Sequence, residues 1–100
     1  MIYEMRTYTL KPGSTGEFEK RFAEALHHRE KHSKLSAFWH TDIGPLNQVI
    51  HLWAYQDLNE RSRVQAEVRQ DPNWPPANIR ELIVSQESKI LVPAAFSPLG

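Results

Sequence analysis

The sequence GPLNQVIHLWAY at residues 44–55 predicts a turn followed by a strand that is apolar on both faces. Successive side chains of a strand point to opposite faces of a sheet. The two resulting sets are Ile50, Leu52 and Ala54 on one face, and Val49, His51, Trp53 and Tyr55 on the other. Both faces of this strand therefore need cover, and we expect helices of the same chain to cover only one of them.

Composition limits the classes of function. The 100 residues include 12 basic and 12 acidic side chains and no cysteine. A net charge of zero gives no electrostatic argument for nucleic acid or an anionic membrane as partner. The absence of cysteine excludes disulfides, thiolate catalysis and thiolate metal sites. With no signal peptide or apolar span in view, we expect a cytoplasmic protein.

Chain length favours a single domain over residues 1–100. A domain of this size buries only about two thirds of the surface that its unfolded chain exposes. A large internal cavity would therefore reduce an already small stability. We expect any sizeable ligand site to lie between two subunits.

Periodicity and turn signals divide the chain into six main elements. Strands are predicted at 2–10, 35–43, 48–55 and 83–92. Helices are predicted from Ser14 to about residue 31 and from Asp57 to about Gln70, each with the spacing of a capping box at its start. A short helical turn is expected at 76–82.

The order strand, helix, strand, strand, helix, strand is that of a ferredoxin-like α+β domain. Such a domain has an antiparallel sheet with both helices on one face. We expect Ile50, Leu52 and Ala54 to meet the helices and His51, Trp53 and Tyr55 to line the uncovered face. Two such faces packed together would form a dimeric α+β barrel, which makes a homodimer the predicted assembly.

Several segments resemble the NIPSNAP family when they are taken in order. They are YEMRTYTLKPG at 3–13, residues 44–55 with Asp57 and Arg61, Asp71-Pro72 with Trp74, and Glu87-Ser88 with Pro93 and the final Phe96-Ser97-Pro98. The resemblance implies a dimeric α+β barrel domain. That fold is shared with cofactor-free monooxygenases, haem-dependent relatives and ligand-binding modules, whereas the family itself has no established general reaction.

His51 and Tyr8 are the candidate catalytic residues. On the uncovered face a histidine could act as a general base or proton shuttle, with Tyr8 as its acid or base partner. The alternative is a hydrogen-bonded histidine with a purely structural role at an interface. The sequence leaves both interpretations open, and with them the question of whether the protein is an enzyme.

Candidate ligand-binding residues are Arg6, Trp39, Trp53 and Tyr55. Aromatic walls with a few polar groups are typical of small-molecule sites, although dimer interfaces favour aromatic residues as well. Arg6 shares its strand face with Glu4, so it would either form an ion pair with Glu4 or anchor a carboxylate ligand.

No motif indicates a cofactor or a metal. Glycine-rich phosphate loops and carboxylate clusters are missing. His28 and His32 have the spacing with which a helix can chelate a metal, but a polar helix end explains them better. We therefore expect a homodimer that binds a small, partly apolar molecule without cofactor or metal. A cofactor-free monooxygenase or isomerase and a ligand-free structural or adaptor dimer are the alternatives.

Overall fold

The computed structural model describes residues 1–100 and contains four strands and two helices. The strands are β1 (Ile2–Leu10), β2 (Leu35–His40), β3 (Gln48–Tyr55) and β4 (Ile83–Leu91). The helices are α1 (Thr15–Arg29) and α2 (Leu58–Gln70), and a short 3-10 helix, Ile79–Leu82, precedes β4. The predicted order of elements is confirmed, although β2 ends at His40 and leaves residues 41–43 to the loop that leads into β3.

The strands form one sheet in the order β2-β3-β1-β4, and every neighbouring pair is antiparallel. Side chains from α1, α2 and the sheet share a single hydrophobic core, which includes Phe18, Phe22, Val64, Val49 and Tyr55. Both helices therefore pack on the same face of the sheet. This arrangement is the predicted ferredoxin-like α+β fold.

The two helix starts differ from each other. Asp57 caps α2 as predicted, since its carboxylate accepts a hydrogen bond from the Glu60 amide at 2.8 Å. The capping box predicted for α1 is wrong: the Ser14 hydroxyl donates to the Lys11 carbonyl at 2.6 Å, and Glu17 binds Arg21 instead. A hydroxyl can bond either way at a helix start, and the preceding turn offers a carbonyl at close range.

The predicted assignment of the β3 faces is wrong, because His51, Trp53 and Tyr55 lie under the helices. His51 and Trp53 are 3 % exposed and Tyr55 is 1 % exposed. The His51 ring contacts Phe22 of α1 at 5.4 Å between ring centroids. Alternation of side chains along β3 predicted which residues share a face. It could not predict which face the helices would cover, because both faces are apolar.

The opposite sheet face carries no helix. It presents Tyr3 and Met5 of β1 together with Ile50 and Leu52 of β3, as the cross-strand register shows. Trp39 of β2 lies opposite Ile50 on this same face and is 50 % exposed. The β3 side of this face is apolar, although Leu52 is only 7 % exposed, whereas β4 adds the charged pair Glu87 and Lys89. No helix in the fold is long and apolar enough to cross a membrane.

A cationic cleft between the helices and the sheet

A cleft of about 560 Å³ opens between the sheet and the segments that cover it. Its floor is formed by β1 and β3, and its walls come from α1, α2 and the segment that leads from α2 to β4. Phe22, Trp53 and Trp74 are among its apolar lining residues. The cleft lies within one chain, whereas the sequence led us to expect a ligand site between subunits.

Arg6 and His51 form the centre of the cleft floor. They are directly opposite each other in the β1–β3 register, so their side chains leave the same face of the sheet about 5 Å apart at Cβ. Tyr8 lies beside both: its ring centroid is 5.4 Å from the Arg6 guanidinium carbon and 5.0 Å from the His51 ring centroid. One arginine, one histidine and one tyrosine thus form a contiguous polar group.

The tautomer of His51 follows from its neighbour Trp53. The Trp53 indole N–H donates to His51 Nδ1 at 2.7 Å. An indole nitrogen can only donate, so Nδ1 must accept and the neutral ring carries its proton on Nε2. His51 Nε2 is buried and has no hydrogen-bond partner in the protein. The ring therefore holds an unused N–H donor at the floor of the cleft.

Burial keeps this ring neutral. Desolvation, reinforced by the nearby positive charge of Arg6, lowers the pKa of His51 to about 3. The Phe38 ring stacks on it at 5.4 Å between centroids, which shows how apolar its surroundings are. A histidine with this pKa is a weak base, so the site favours hydrogen-bond donation by His51 over the general-base role suggested by the sequence. Burial likewise raises the pKa of Tyr8, which keeps its hydroxyl protonated.

Arg29 brings a second buried positive charge to the cleft. It is 4 % exposed, and its guanidinium carbon lies 4.1 Å from the centroid of the Trp53 ring. It donates to the Tyr55 hydroxyl at 3.2 Å, to the Ser33 hydroxyl at 2.9 Å and to the Ser33 carbonyl at 3.4 Å, all of which are neutral acceptors. Arg29 is thus held in place by a cation–π contact and hydroxyl groups rather than by a counter-charge.

Glu4, next to the cleft, shows how this fold pairs a buried charge. The Glu4 carboxylate is 1 % exposed and accepts hydrogen bonds from Arg61 Nε at 3.1 Å, from Arg61 Nη2 at 2.9 Å and from the Ser88 hydroxyl. Burial alone would raise the pKa of Glu4, but these hydrogen bonds and the Arg61 charge lower it below its ordinary value. Glu4 therefore pairs with Arg61 of α2 and not with Arg6.

The arginines divide into two groups according to their place in the fold. The chain has seven arginines. Arg21, Arg61 and Arg63 lie outside the cleft, and each forms a salt bridge. Arg6, Arg29, Arg69 and Arg80 line the cleft, and none of them has a carboxylate within salt-bridge distance. No aspartate or glutamate lines the cleft, so none of its arginines is neutralised by a direct ion pair.

The structure brings together four of the six residues selected from the sequence. Arg6, Tyr8, His51 and Trp53 all line the cleft. Tyr55 is buried behind it, where its hydroxyl accepts from Arg29. Trp39 lies on the opposite face of the sheet, away from the cleft.

Sequence reasoning missed Arg29 and Trp74, and it missed Arg69 and Arg80, the two exposed arginines that line the cleft. Arg29 closes α1, where a basic side chain is the ordinary complement of the helix dipole, so nothing in its position signalled burial. Trp74 packs its ring against Phe22 at 5.1 Å between centroids and thereby pins the connecting segment onto the core. Its place in the cleft wall was not foreseen.

His28 and His32 do not form a metal site with other ligands. His32 lies beyond the end of α1 and bonds Asp71 at 2.8 Å, a contact that lowers the pKa of that carboxyl. No group of three or more histidine, aspartate or glutamate side chains is arranged to hold a metal ion.

The fold and the cleft together define a single-sheet, ferredoxin-like α+β protein with a cationic, aromatic-walled cleft beneath its helices. A family model described as NIPSNAP matches residues 3–98. The chain is also 35 % identical over 100 residues to the protein NipSnap homolog 1 of Danio rerio, an alignment that covers 98 % of this chain and 36 % of that relative. The chain belongs to the NIPSNAP family.

Solved structures agree with this assignment. A NIPSNAP family protein of unknown function from Agrobacterium tumefaciens superposes with a TM-score of 0.93 at 37 % identity, over 100 % of this chain and 94 % of that one. SnoaB, a cofactor-independent oxygenase from Streptomyces nogalater, superposes with a TM-score of 0.71 at 16 % identity, over 97 % and 96 % of the two chains. The second likeness shows a shared fold. This chain spans about a third of the length of the Danio relative, so the activity of the longer protein does not transfer to it directly.

Proposed function

We propose that this NIPSNAP-family protein is a homodimer that binds a small, partly apolar molecule in the cleft beneath its helices. The observation that carries the proposal is the cleft itself. Its volume of about 560 Å³ falls in the range of small-molecule sites, and aromatic walls there surround a few polar groups. Arg6 and His51 supply buried donors that the protein leaves unpaired.

Tryptophan fluorescence tests this proposal, because Trp53 and Trp74 line the cleft and Trp39 does not. Titration with naphthalene-sized compounds is expected to change the emission of the wild type and of Trp39→Phe. The change should shrink in Trp74→Phe. An equal response in both variants, or no saturable response with any compound, would contradict binding in the cleft.

The uncovered sheet face supports the homodimer. It combines the partly exposed side chains of Tyr3, Met5 and Ile50 with the half-exposed Trp39, a contiguous apolar area of the kind that can mark a protein–protein contact. Packing two such faces together would bury it. Sedimentation equilibrium at micromolar concentration should give the mass of two chains, and Ile50→Lys should give the mass of one. A monomeric wild type would contradict the assembly.

Two alternatives receive less support. A cofactor-free oxygenase that uses His51 as its base would need a ring with a higher pKa than the value of about 3 set by burial. A purely structural dimer predicts a solidly packed interior, whereas the cleft leaves buried polar groups without partners.

The cytoplasmic location expected from the sequence stays a prediction, to be checked by cell fractionation.

A further inference from the structure

We infer that the molecule bound in the cleft is an organic carboxylate with a planar apolar body, and that Arg6 and the Nε2–H group of His51 hold its carboxylate. The inference rests on the proposed function, since it names the chemical class of the ligand for the same cleft. It goes beyond that function because binding alone would be satisfied by a neutral molecule.

The cleft carries positive charge that is not neutralised by ion pairs. Its four arginines, Arg6, Arg29, Arg69 and Arg80, have no carboxylate partner, while every arginine outside the cleft is paired. Arg69 and Arg80 are exposed to solvent, whereas Arg6 is half-buried and Arg29 is buried. Arg29 is almost completely buried, and a buried charge without a counter-ion is unfavourable. A ligand with a negative charge would supply what the chain itself lacks.

The cleft floor also holds hydrogen-bond donors without acceptors. Arg6 Nε and His51 Nε2 are both buried and both lack a partner. Such groups are rare in folded proteins, and a bound group or water is an ordinary explanation for them. The third such atom, His28 Nδ1, lies outside the cleft. Because Arg6 and His51 are directly opposite each other on neighbouring strands, one carboxylate could accept from both. Guanidinium groups bind carboxylates particularly well through paired N–H donors.

The aromatic walls of the cleft favour a ligand with an apolar body attached to its carboxylate. Phe22, Trp53 and Trp74 provide aromatic walls around the polar floor. An inorganic anion would leave these walls without contacts, whereas a flat apolar body would bury area against them. A carboxylate joined to one or two fused rings matches both parts of the cleft.

The probes that separate charge from apolar contact are 2-naphthoate, 2-naphthamide and acetate, titrated into the full chain by calorimetry. Naphthoate and naphthamide share one ring system and differ in charge, while acetate carries the charge without the rings. We expect naphthoate to bind roughly tenfold more tightly than naphthamide, since hydrogen bonds to a charged group exceed those to a neutral one by about that factor. Acetate at the same concentrations should give no saturable binding.

Arg6→Met and Arg63→Met form the matched pair of variants, because each removes one positive charge and only Arg6 lies in the cleft. Arg6→Met should weaken naphthoate roughly tenfold and leave naphthamide nearly unchanged. Arg63→Met should change neither. Arg6→Lys keeps the charge but loses the guanidinium fork, so it should lie between the wild type and Arg6→Met.

The outcomes separate this inference from the proposed function. Equal affinity for naphthoate and naphthamide would overturn the carboxylate inference and leave a small-molecule cleft standing. Binding of neither compound would overturn both. Equal losses in Arg6→Met and Arg63→Met would show that naphthoate responds to overall charge, which would also overturn the assignment of Arg6.

Discussion

Glu4 and Arg6 lie two residues apart on the same face of β1, but only the charge of Glu4 is neutralised by an ion pair within the chain. Glu4 is buried and fully paired, with Arg61 and Ser88 as donors. Arg6 lines a cleft with an unpartnered Nε and no carboxylate within salt-bridge distance. The first charge is part of the structure, since removing either partner would leave the other uncompensated. The second is open to a partner from outside the chain.

Loss of the ion pair between Glu4 and Arg61 should reduce the stability of the fold more than any other change considered below. Arg61→Met leaves the Glu4 carboxylate buried without its main donor, and we expect a loss of about 3 kcal/mol in the free energy of unfolding. Urea denaturation followed by circular dichroism measures this loss. The control is Arg63→Met on the same helix, whose pair with Glu67 is exposed and should contribute less than about 0.5 kcal/mol. Equal losses in the two variants would mean that the Glu4 pair has no special structural role.

His51 and Glu4 should make the stability of the fold depend on pH in different ranges. His51 faces Arg6 and Glu4 on β1 and Arg29 on α1, and burial lowers its pKa to about 3, whereas the unfolded chain takes up that proton near pH 6.5. The unfolded state therefore binds more protons below pH 6.5, and stability falls as the pH falls. We expect a loss of about 2 kcal/mol between pH 7 and pH 5.

The matched variant is His51→Asn, whose amide oxygen can accept the Trp53 N–H in place of Nδ1. It should lose stability at pH 7 but show a much flatter dependence between pH 7 and pH 5. The pKa of Glu4 is lowered instead, so its contribution should persist until the pH falls below about 4.5. An unchanged slope in His51→Asn would mean that another group accounts for the acid sensitivity.

A bound carboxylate should stabilise the wild type and Arg61→Met far more than Arg6→Met. At a free 2-naphthoate concentration ten times its dissociation constant, the wild type should gain about 1.4 kcal/mol in stability by mass action. Arg61→Met, although less stable, should gain the same amount, because the Glu4 pair does not line the cleft. Arg6→Met should gain far less at that concentration. Thermal unfolding with and without naphthoate gives all three values.

Arg6→Met without ligand should change stability much less than Arg61→Met does. The substitution removes a half-buried charge that has no ion-pair partner, so the change in the free energy of unfolding should stay within about 1 kcal/mol. Denaturation in urea beside Arg61→Met checks it. A loss as large as that of Arg61→Met would mean that Arg6 has a structural partner after all.

Much of the fold could be predicted from the sequence because it depends on local signals. Alternation within β1 and β3, the turn at residues 44–47 and the Asp57 cap gave the order of elements and hence the ferredoxin-like fold. The covered face of β3 could not be predicted, because both of its faces are apolar. His51 and Trp53 point toward the helices, and this orientation shows only in the packed structure because the alternation within β3 is the same for either face.

The candidate site was predictable only in part, for a similar reason. Arg6, Tyr8, His51 and Trp53 share one sheet face, which alternation within each strand could identify. The partner of Glu4 lies 57 residues further along the chain, and only the packed helix brings it close. Arg29 could not be recognised, because a basic residue at a helix end is ordinarily exposed to solvent.

The unpaired donors of Arg6 and His51 at the cleft floor should bind a carboxylate. A crystal structure of the protein soaked with 2-naphthoate would show whether they do. We predict the carboxylate oxygens within hydrogen-bond distance of the Arg6 guanidinium and His51 Nε2, with the rings between Trp53 and Trp74. Naphthoate bound on the uncovered sheet face, or a carboxylate of a second subunit already paired with Arg6, would contradict the claim.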